Sequence, residues 1–243
     1  MTQDIWLIDQ MAKSQYFHAK LHEWALPELA DALANARGED LDWDLSLLGI
    51  AEHAWNRVIH RGIKPILVFA HPAILSSIPR SCGYYRMLSM VSQKSMGHVK
   101  VVAGDFAEYE VGRRTLSPEQ ALPVARHLNE IISQLVSADA TIDAHEFDLW
   151  RAMAAGTQAQ GSWQNVKGRK AEAAIKGLLY LRLGERKLIA GEVGTNLSLP
   201  ALIQLTDGRV VRFADDPDVG IYQGDVIVAA MEVKVGIDTA AVH

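Results

Sequence analysis

The sequence predicts an α/β (α+β) protein in which a helical N-terminal domain precedes a sheet-bearing C-terminal one. Three observations carry that expectation. Apolar residues recur at three- and four-residue intervals through the first two-thirds of the chain. After Leu199 they recur at every second residue. Two turn signals, Asp207-Gly208 and Gly224-Asp225, punctuate the alternating part. The first spacing is that of a helix with one buried face, the second that of a strand. A two-residue Gly/Asp turn between apolar runs is the usual mark of a β-hairpin.

The helices follow in order. "YFHAKLHEW" sets Phe17, Leu21 and Trp24 at helical spacing, and Gly38 lies beyond the end of "ALPELADALANARG". "AEHAWNRVIHRG" is a short helix stopping at Gly62, and "YYRMLSMVSQK" aligns Tyr84, Leu88 and Val91. The clearest start is "SPEQALPVARHLNEIISQLV". Ser117 can cap it, Pro118 suits the first helical position and Gln120 completes a capping box. Ala121, Ala125, Leu128, Ile132 and Leu135 form its core stripe, with Pro123 inside the first turns. "DAHEFDLWRAMAAG" runs from Asp143 to Gly156, and the small polar stretch "TQAQGSWQN" reads as a linker or surface loop. Domains 1–156 and 157–243 follow. In the second, a helix from about Arg169 to Gly184 precedes four strands: "ALIQL", "RVVRF", a run starting near Asp218, and Val226 to Val235.

Composition narrows the function. Apolar residues make up 49% and charged ones 22%, as in ordinary soluble proteins. The first residues lack the basic start and apolar core of a signal peptide, and no apolar run nears the ~20 residues needed to span a bilayer. The single cysteine, Cys82, excludes an intramolecular disulfide framework and a cysteine-rich zinc site, so a cytoplasmic location is expected. From Gly161 to Ala190, seven bases stand against two acids, a local +5 in a chain of net charge −5. Lys167, Arg169 and Lys170 belong to that segment, which is either a solvated helix face or a phosphate-facing patch.

The chemistry gathers in "DDPDVGIYQGDVIVAAMEVKVG". A hairpin centred on Asp225 sets Tyr222 opposite Val228, Asp218 opposite Glu232 and Asp216 opposite Lys234. Cross-strand partners share a face, and residues two apart along a strand share it too, so Asp218, Glu232 and Lys234 come together. Facing carboxylates repel unless one takes a proton or a cation lies between them. Magnesium suits the pair, being a hard cation that uses one or two carboxylates and keeps several waters. Lys234 could hold or help deprotonate the water that attacks a phosphodiester. A surface ion cluster on a hairpin is the competing reading. The apolar run "VIVAAM" argues for a buried strand instead.

Pro217-Asp218, thirteen residues, then Glu232-Val233-Lys234 resembles the PD-(D/E)XK nuclease signature. "GRKAEAAIKGLLYLRLG" followed by strands resembles the first half of that family's core, whose central mixed sheet is flanked by helices. "FHAKLHEW", "VFAHP", "YYRMLSMVSQK", "AGEVGTN" and "RFADDPD" are similar to the XcyI group of type II restriction endonucleases, so the resemblance covers nearly the whole chain. It implies Asp218, Glu232 and the Val233 carbonyl as Mg2+ ligands, Lys234 as the catalytic base or its orienter, and Glu172 as a further acid. It also implies cleavage of double-stranded DNA at a specific site such as CCCGGG, a homodimer on a palindrome, and a DNA methyltransferase as genetic partner. The chain ends nine residues after Lys234, where the family core continues, so a core cut short at the C-terminus is expected.

Other candidates are weaker. Glu192, between glycines in "GEVGTN", marks a backbone approach to DNA, a second acid near the site, or an ordinary loop residue. His18 and His22 stand at i, i+4 without an obvious third ligand, and Arg80 and Arg86 either touch DNA or pack within their helix. No P-loop, dinucleotide fingerprint or Gly-x-Ser-x-Gly elbow is present. A structure-directed or repair nuclease on the same core, and a catalytically dead DNA-binding fragment, are the alternatives to restriction.

Overall fold

The computed structural model describes residues 2–99, 106–191 and 199–234, and its chain divides into two compact units, Met1–Gly161 and Ser162–His243. The helices of the first unit are α1 (Thr2–Glu23), α2 (Leu26–Asn35), α3 (Glu52–His60), α4 (Pro72–Ser77), α5 (Ser81–Leu88), α6 (Ala107–Glu110) and α7 (Pro118–Ala138). A long helix, α8 (Ala144–Glu185), contains the boundary. Four strands follow: β1 (Leu202–Gln204), β2 (Val210–Phe213), β3 (Val219–Gln223) and β4 (Val226–Met231). The mixed helix-and-sheet class is the one expected. The sheet itself is an antiparallel meander in the order β1-β2-β3-β4, with no parallel pair among the described residues.

The core of the first unit is organised on α7. Ser117 accepts a hydrogen bond from the Gln120 N–H while Gln120 answers to the Ser117 N–H, and Pro118 occupies the first turn. Ala121, Ala125, Leu128 and Ile132 are fully buried, as their spacing requires. Val136 completes the stripe, and Leu135 lies half-buried at its margin. Asn129, also buried, accepts from the Ala70 N–H at 2.7 Å and donates to the carbonyls of Leu48 and Ala70, tying two loops to the helix. "VFAHP" is built into this core. Val68, Phe69 and Ala70 are buried, and His71 Nδ1 accepts from the Ala73 N–H to cap α4.

Arg86 resolves to packing. It is 1% exposed and paired with an equally buried Glu110, and it also donates to Gln158 and to the Val91 carbonyl at 2.6 Å. The Glu110 carboxylate accepts from Gln93 and Gln158 as well, so the pair is hydrogen-bonded on every side. Burial of this kind tolerates charge only when it is matched. Arg80 donates to the carbonyls of Val111 and Glu23. His18 and His22 meet edge to face, and no group of three metal-binding side chains occurs among the described residues. Nor is any helix among them long and apolar enough to cross a membrane.

Two expectations fail at α8. The helix does not end at Gly156, and "TQAQGSWQN" is helical rather than a linker. Ala155, Ala159 and Trp163 are buried at four-residue intervals, so the inward stripe runs through the stretch. Its small side chains disguise that stripe. One helical glycine costs only ~1 kcal/mol, which a buried stripe outweighs.

In the second unit, Leu179, Tyr180 and Leu183 of α8 pack on Ile203, Leu205, Val211 and Val219, with Ile189, Phe213 and Ile221 at the margin. These strand residues all project from one face, because side chains alternate along a strand. β1 and β2 join through a turn in which Gly208 takes φ +85°, and the Leu205 N–H donates to the Arg209 carbonyl. β4 is not the buried strand expected. Among the described residues it stands at the end of the order with a neighbour on one side, and all six of its residues are exposed. None of its side chains joins the apolar cluster under α8.

Candidate active site

The β3–β4 hairpin differs from expectation at its tip and agrees at its base. Gly224, at φ +61°, takes the first central position of a two-residue turn. Gln223 therefore pairs with Val226 and Tyr222 with Ile227, not with Val228. An irregularity between Ile221 and Tyr222 then leaves Val228 as an extra residue, and Ile221 meets Ala229. The lost residue in the turn and the added one in the strand cancel. Gly220↔Ala230 and Val219↔Met231 hold the register first expected, which carried one step further sets Asp218 opposite Glu232.

The carboxylate of Asp218 confirms that closeness from its own side. Its Oδ2 accepts the Val233 N–H at 2.6 Å, so the acid lies against the middle of the Glu232-Val233-Lys234 tripeptide. Lys234 Nζ donates to Glu232 Oε2 at 3.3 Å, with the lysine side chain 77% and the glutamate 44% exposed. An ion pair this open contributes little to stability, and both groups are free to meet a solute. Alternation carried one step beyond the last pair, Val219↔Met231, would put Asp218 and Glu232 on the face opposite α8.

Glu172 arrives at the same end of the sheet from the helix. It pairs with Lys176 one turn later, and Lys176 also donates to the Ala214 carbonyl at 3.1 Å, beside the loop that leads to Asp218. The Lys176 ammonium lies 5.7 Å from the centre of the Phe213 ring. Lys176 is one of the seven bases of the Gly161 to Ala190 segment, and its i, i+4 spacing from Glu172 is the local signal for this pair. Lys167 lies over the Trp163 ring, while Arg169 and Lys170 are exposed on α8. Glu192 falls outside the described residues.

The donors fit one kind of metal better than others. Two carboxylates suit Mg2+, which keeps much of its water shell, and do not make an all-protein cage. No thiolate or imidazole takes part, so the set is hard and oxygen-only.

A family model described as XcyI restriction endonuclease matches residues 25–243. No curated protein and no solved structure matches the chain.

Proposed function

The chain belongs to the XcyI restriction endonuclease family and is thus a nuclease acting on DNA, and we propose that it is a type II enzyme performing Mg2+-dependent cleavage at a specific duplex site. Asp218, Glu232 and the Val233 carbonyl would hold the ion, which when bound supplies Lewis acidity toward the phosphoryl oxygens. Lys234 holds the attacking water through its ammonium, the proton passing to solvent, or, when neutral, takes that proton itself; the new P–O bond forms as the bond to the leaving oxygen breaks, and that oxygen takes a proton from solvent water. Glu172, committed to Lys176, serves as a supporting acid at the edge of the site. The observation that carries this reading is the bond from the Val233 N–H to Asp218, which ties the aspartate to the Glu-Val-Lys tripeptide.

CCCGGG is the proposed site. A palindrome of that kind would be met by a homodimer, one active centre for each strand, and the host's own sites would be protected by a cognate DNA methyltransferase. The nuclease chemistry is assigned to the unit Ser162–His243, with exposed Arg169 and Lys170, and Lys167, facing phosphates, and the enzyme is placed in the cytoplasm.

The test is plasmid cleavage with and without Mg2+, alongside Lys234→Ala. Discrete fragments that need both Mg2+ and Lys234, with ends mapping to CCCGGG, are expected. Cleavage that survives Lys234→Ala would remove the lysine from the chemistry. Cutting confined to branched or damaged DNA would favour a repair nuclease, and DNA binding without turnover a non-catalytic binder.

A further inference from the structure

The sheet face opposite α8 carries three rows of side chains, read across the strands from the paired registers. The row at the hairpin tip is Gln204–Val210–Tyr222–Ile227, and the middle row is Leu202–Arg212–Gly220–Ala230. The third row contains Asp218 and Glu232. It begins at Ala214, whose N–H reaches the Asp218 carbonyl at 3.4 Å. Successive rows on one face are two residues apart, or about 7 Å.

Arg212 stands in the middle row, a diagonal neighbour of both Asp218 and Tyr222. A free guanidinium between a carboxylate and a ring would ordinarily turn to the carboxylate. This one lies over the ring, 4.4 Å from its centre. The ring is itself displaced toward the acidic row. A β-carbon at Gly220 would lie 2.6 Å from Tyr222 Cε2, so the tyrosine covers the glycine. The absent side chain at Gly220 thus makes room for an aromatic platform, and the platform seats an exposed arginine one row from the acids. No hydrogen bond or ion pair engages the Arg212 guanidinium among the described residues.

We infer that Arg212 is a phosphate-binding residue of the DNA site, held by Tyr222 over Gly220 so that it takes a backbone phosphate flanking the one beside Asp218, Glu232 and Lys234. The inference rests on the proposed nuclease reading. The chemistry fits the geometry. Guanidinium donors match phosphate oxygens in pairs, and stacking fixes their plane without using them. The ring also offsets the cation's charge only weakly, so the guanidinium stays available to an anion. Tyr222 acts through Arg212 and is a positioning residue.

The experiment measures binding of a fluorescently labelled duplex carrying CCCGGG, and of one with that site scrambled, over a series of salt concentrations without Mg2+. One lost phosphate contact lowers the slope of log affinity against log salt by about 0.9, which at ~0.1 M salt is roughly an eightfold loss. Arg212→Ala is expected to show that change equally on both duplexes, since a phosphate contact carries no sequence information. Tyr222→Leu is expected to match it, and Tyr222→Phe, which keeps the ring, to bind as the parent does. If the parent binds with a salt-dependent slope and Arg212→Ala leaves that slope unchanged, the inference is overturned while the nuclease reading stands. Tyr222→Leu with an intact slope overturns the positioning role, as does Tyr222→Phe with a reduced one. A parent chain without salt-dependent binding to either duplex overturns both readings together.

Discussion

Arg86→Met is the substitution whose consequence the structure fixes most closely. Arg86 and Glu110 are each 1% exposed, and the arginine donates to Glu110, to Gln158 and to the Val91 carbonyl. Removing it leaves Glu110 a buried anion held by the amides of Gln93 and Gln158 alone, with the Val91 carbonyl stripped of that donor. Breaking a buried pair from one side costs about 3–5 kcal/mol. That is a large share of the roughly 5–15 kcal/mol a domain has. At ~2–4 °C per kcal/mol for a chain of this size, the melting temperature should fall by about 6–20 °C. The assay is thermal unfolding of the parent, of Arg86→Met, and of Arg86→Met with Glu110→Gln, in which no lone charge remains. The double variant should recover at least half of the loss. The salt dependence of DNA binding, measured well below either melting point, should not move. A single variant that melts within about 2 °C of the parent would refute the argument, as would a double variant no better than the single. A changed salt slope with stability intact would return Arg86 to the DNA surface.

Three further outcomes follow from other parts of the molecule. Burial, with the Glu110 charge second, pushes the Cys82 thiol from 9.0 up to about 12. A folded pKa above the unfolded one means the thiol adds stability in full below about pH 9 and loses that share as pH rises toward 12. At pH 8, Ellman's reagent should therefore modify Cys82 slowly in the native protein and rapidly in denaturant, and equal rates would contradict its burial. Asn129→Ala strands the Ala70 N–H and the carbonyls of Leu48 and Ala70, each at about 1–3 kcal/mol; denaturant unfolding should show a loss of at least ~2 kcal/mol, and a smaller one would mean that the loops re-pair. Glu172→Gln should keep most Mg2+-dependent cleavage, because the carboxylate is committed to Lys176, whereas Asp218→Asn should abolish it. Equal losses would make Glu172 a ligand of the same rank.

The strand signals were legible because they are local. Asp207-Gly208 and Gly224-Asp225 mark their turns through backbone conformations that favour glycine, and the alternation of Ile203, Leu205, Val211 and Val219 names the face under α8. The capping box of α7 is equally local, and it forms as its four residues imply. What stayed hidden depends on partners distant in sequence. Arg86 finds Glu110 twenty-four residues away, Lys176 finds the Ala214 carbonyl thirty-eight away, and nothing in either neighbourhood announces the other. The long α8 was hidden for a different reason. Ala155 and Ala159 bury too little surface to stand out from a polar stretch, and Gly156 looks like a stop when the stripe beside it goes unseen.

The hairpin shows why a partly wrong local reading could still bring Asp218 to the Glu232-Val233-Lys234 segment. Which face a strand residue joins depends only on parity, so an error of one residue sends every side chain across, and a second error of one brings it back. The two-residue turn at Gly224-Asp225 removes one residue from the expected loop, and the bulge at Val228 restores it. Beyond Ala229 the pairing is the same as if neither had occurred, and Asp218 meets the Glu232-Val233-Lys234 segment through the Val233 N–H. The bulge is therefore the element that keeps the acids in phase. Were Val228 to pair regularly with Ile221 instead of bulging, Met231 would stand opposite Asp218, and Glu232 and Lys234 would turn to the α8 face, where Val219 and Val211 are buried and a bare charge would be expensive.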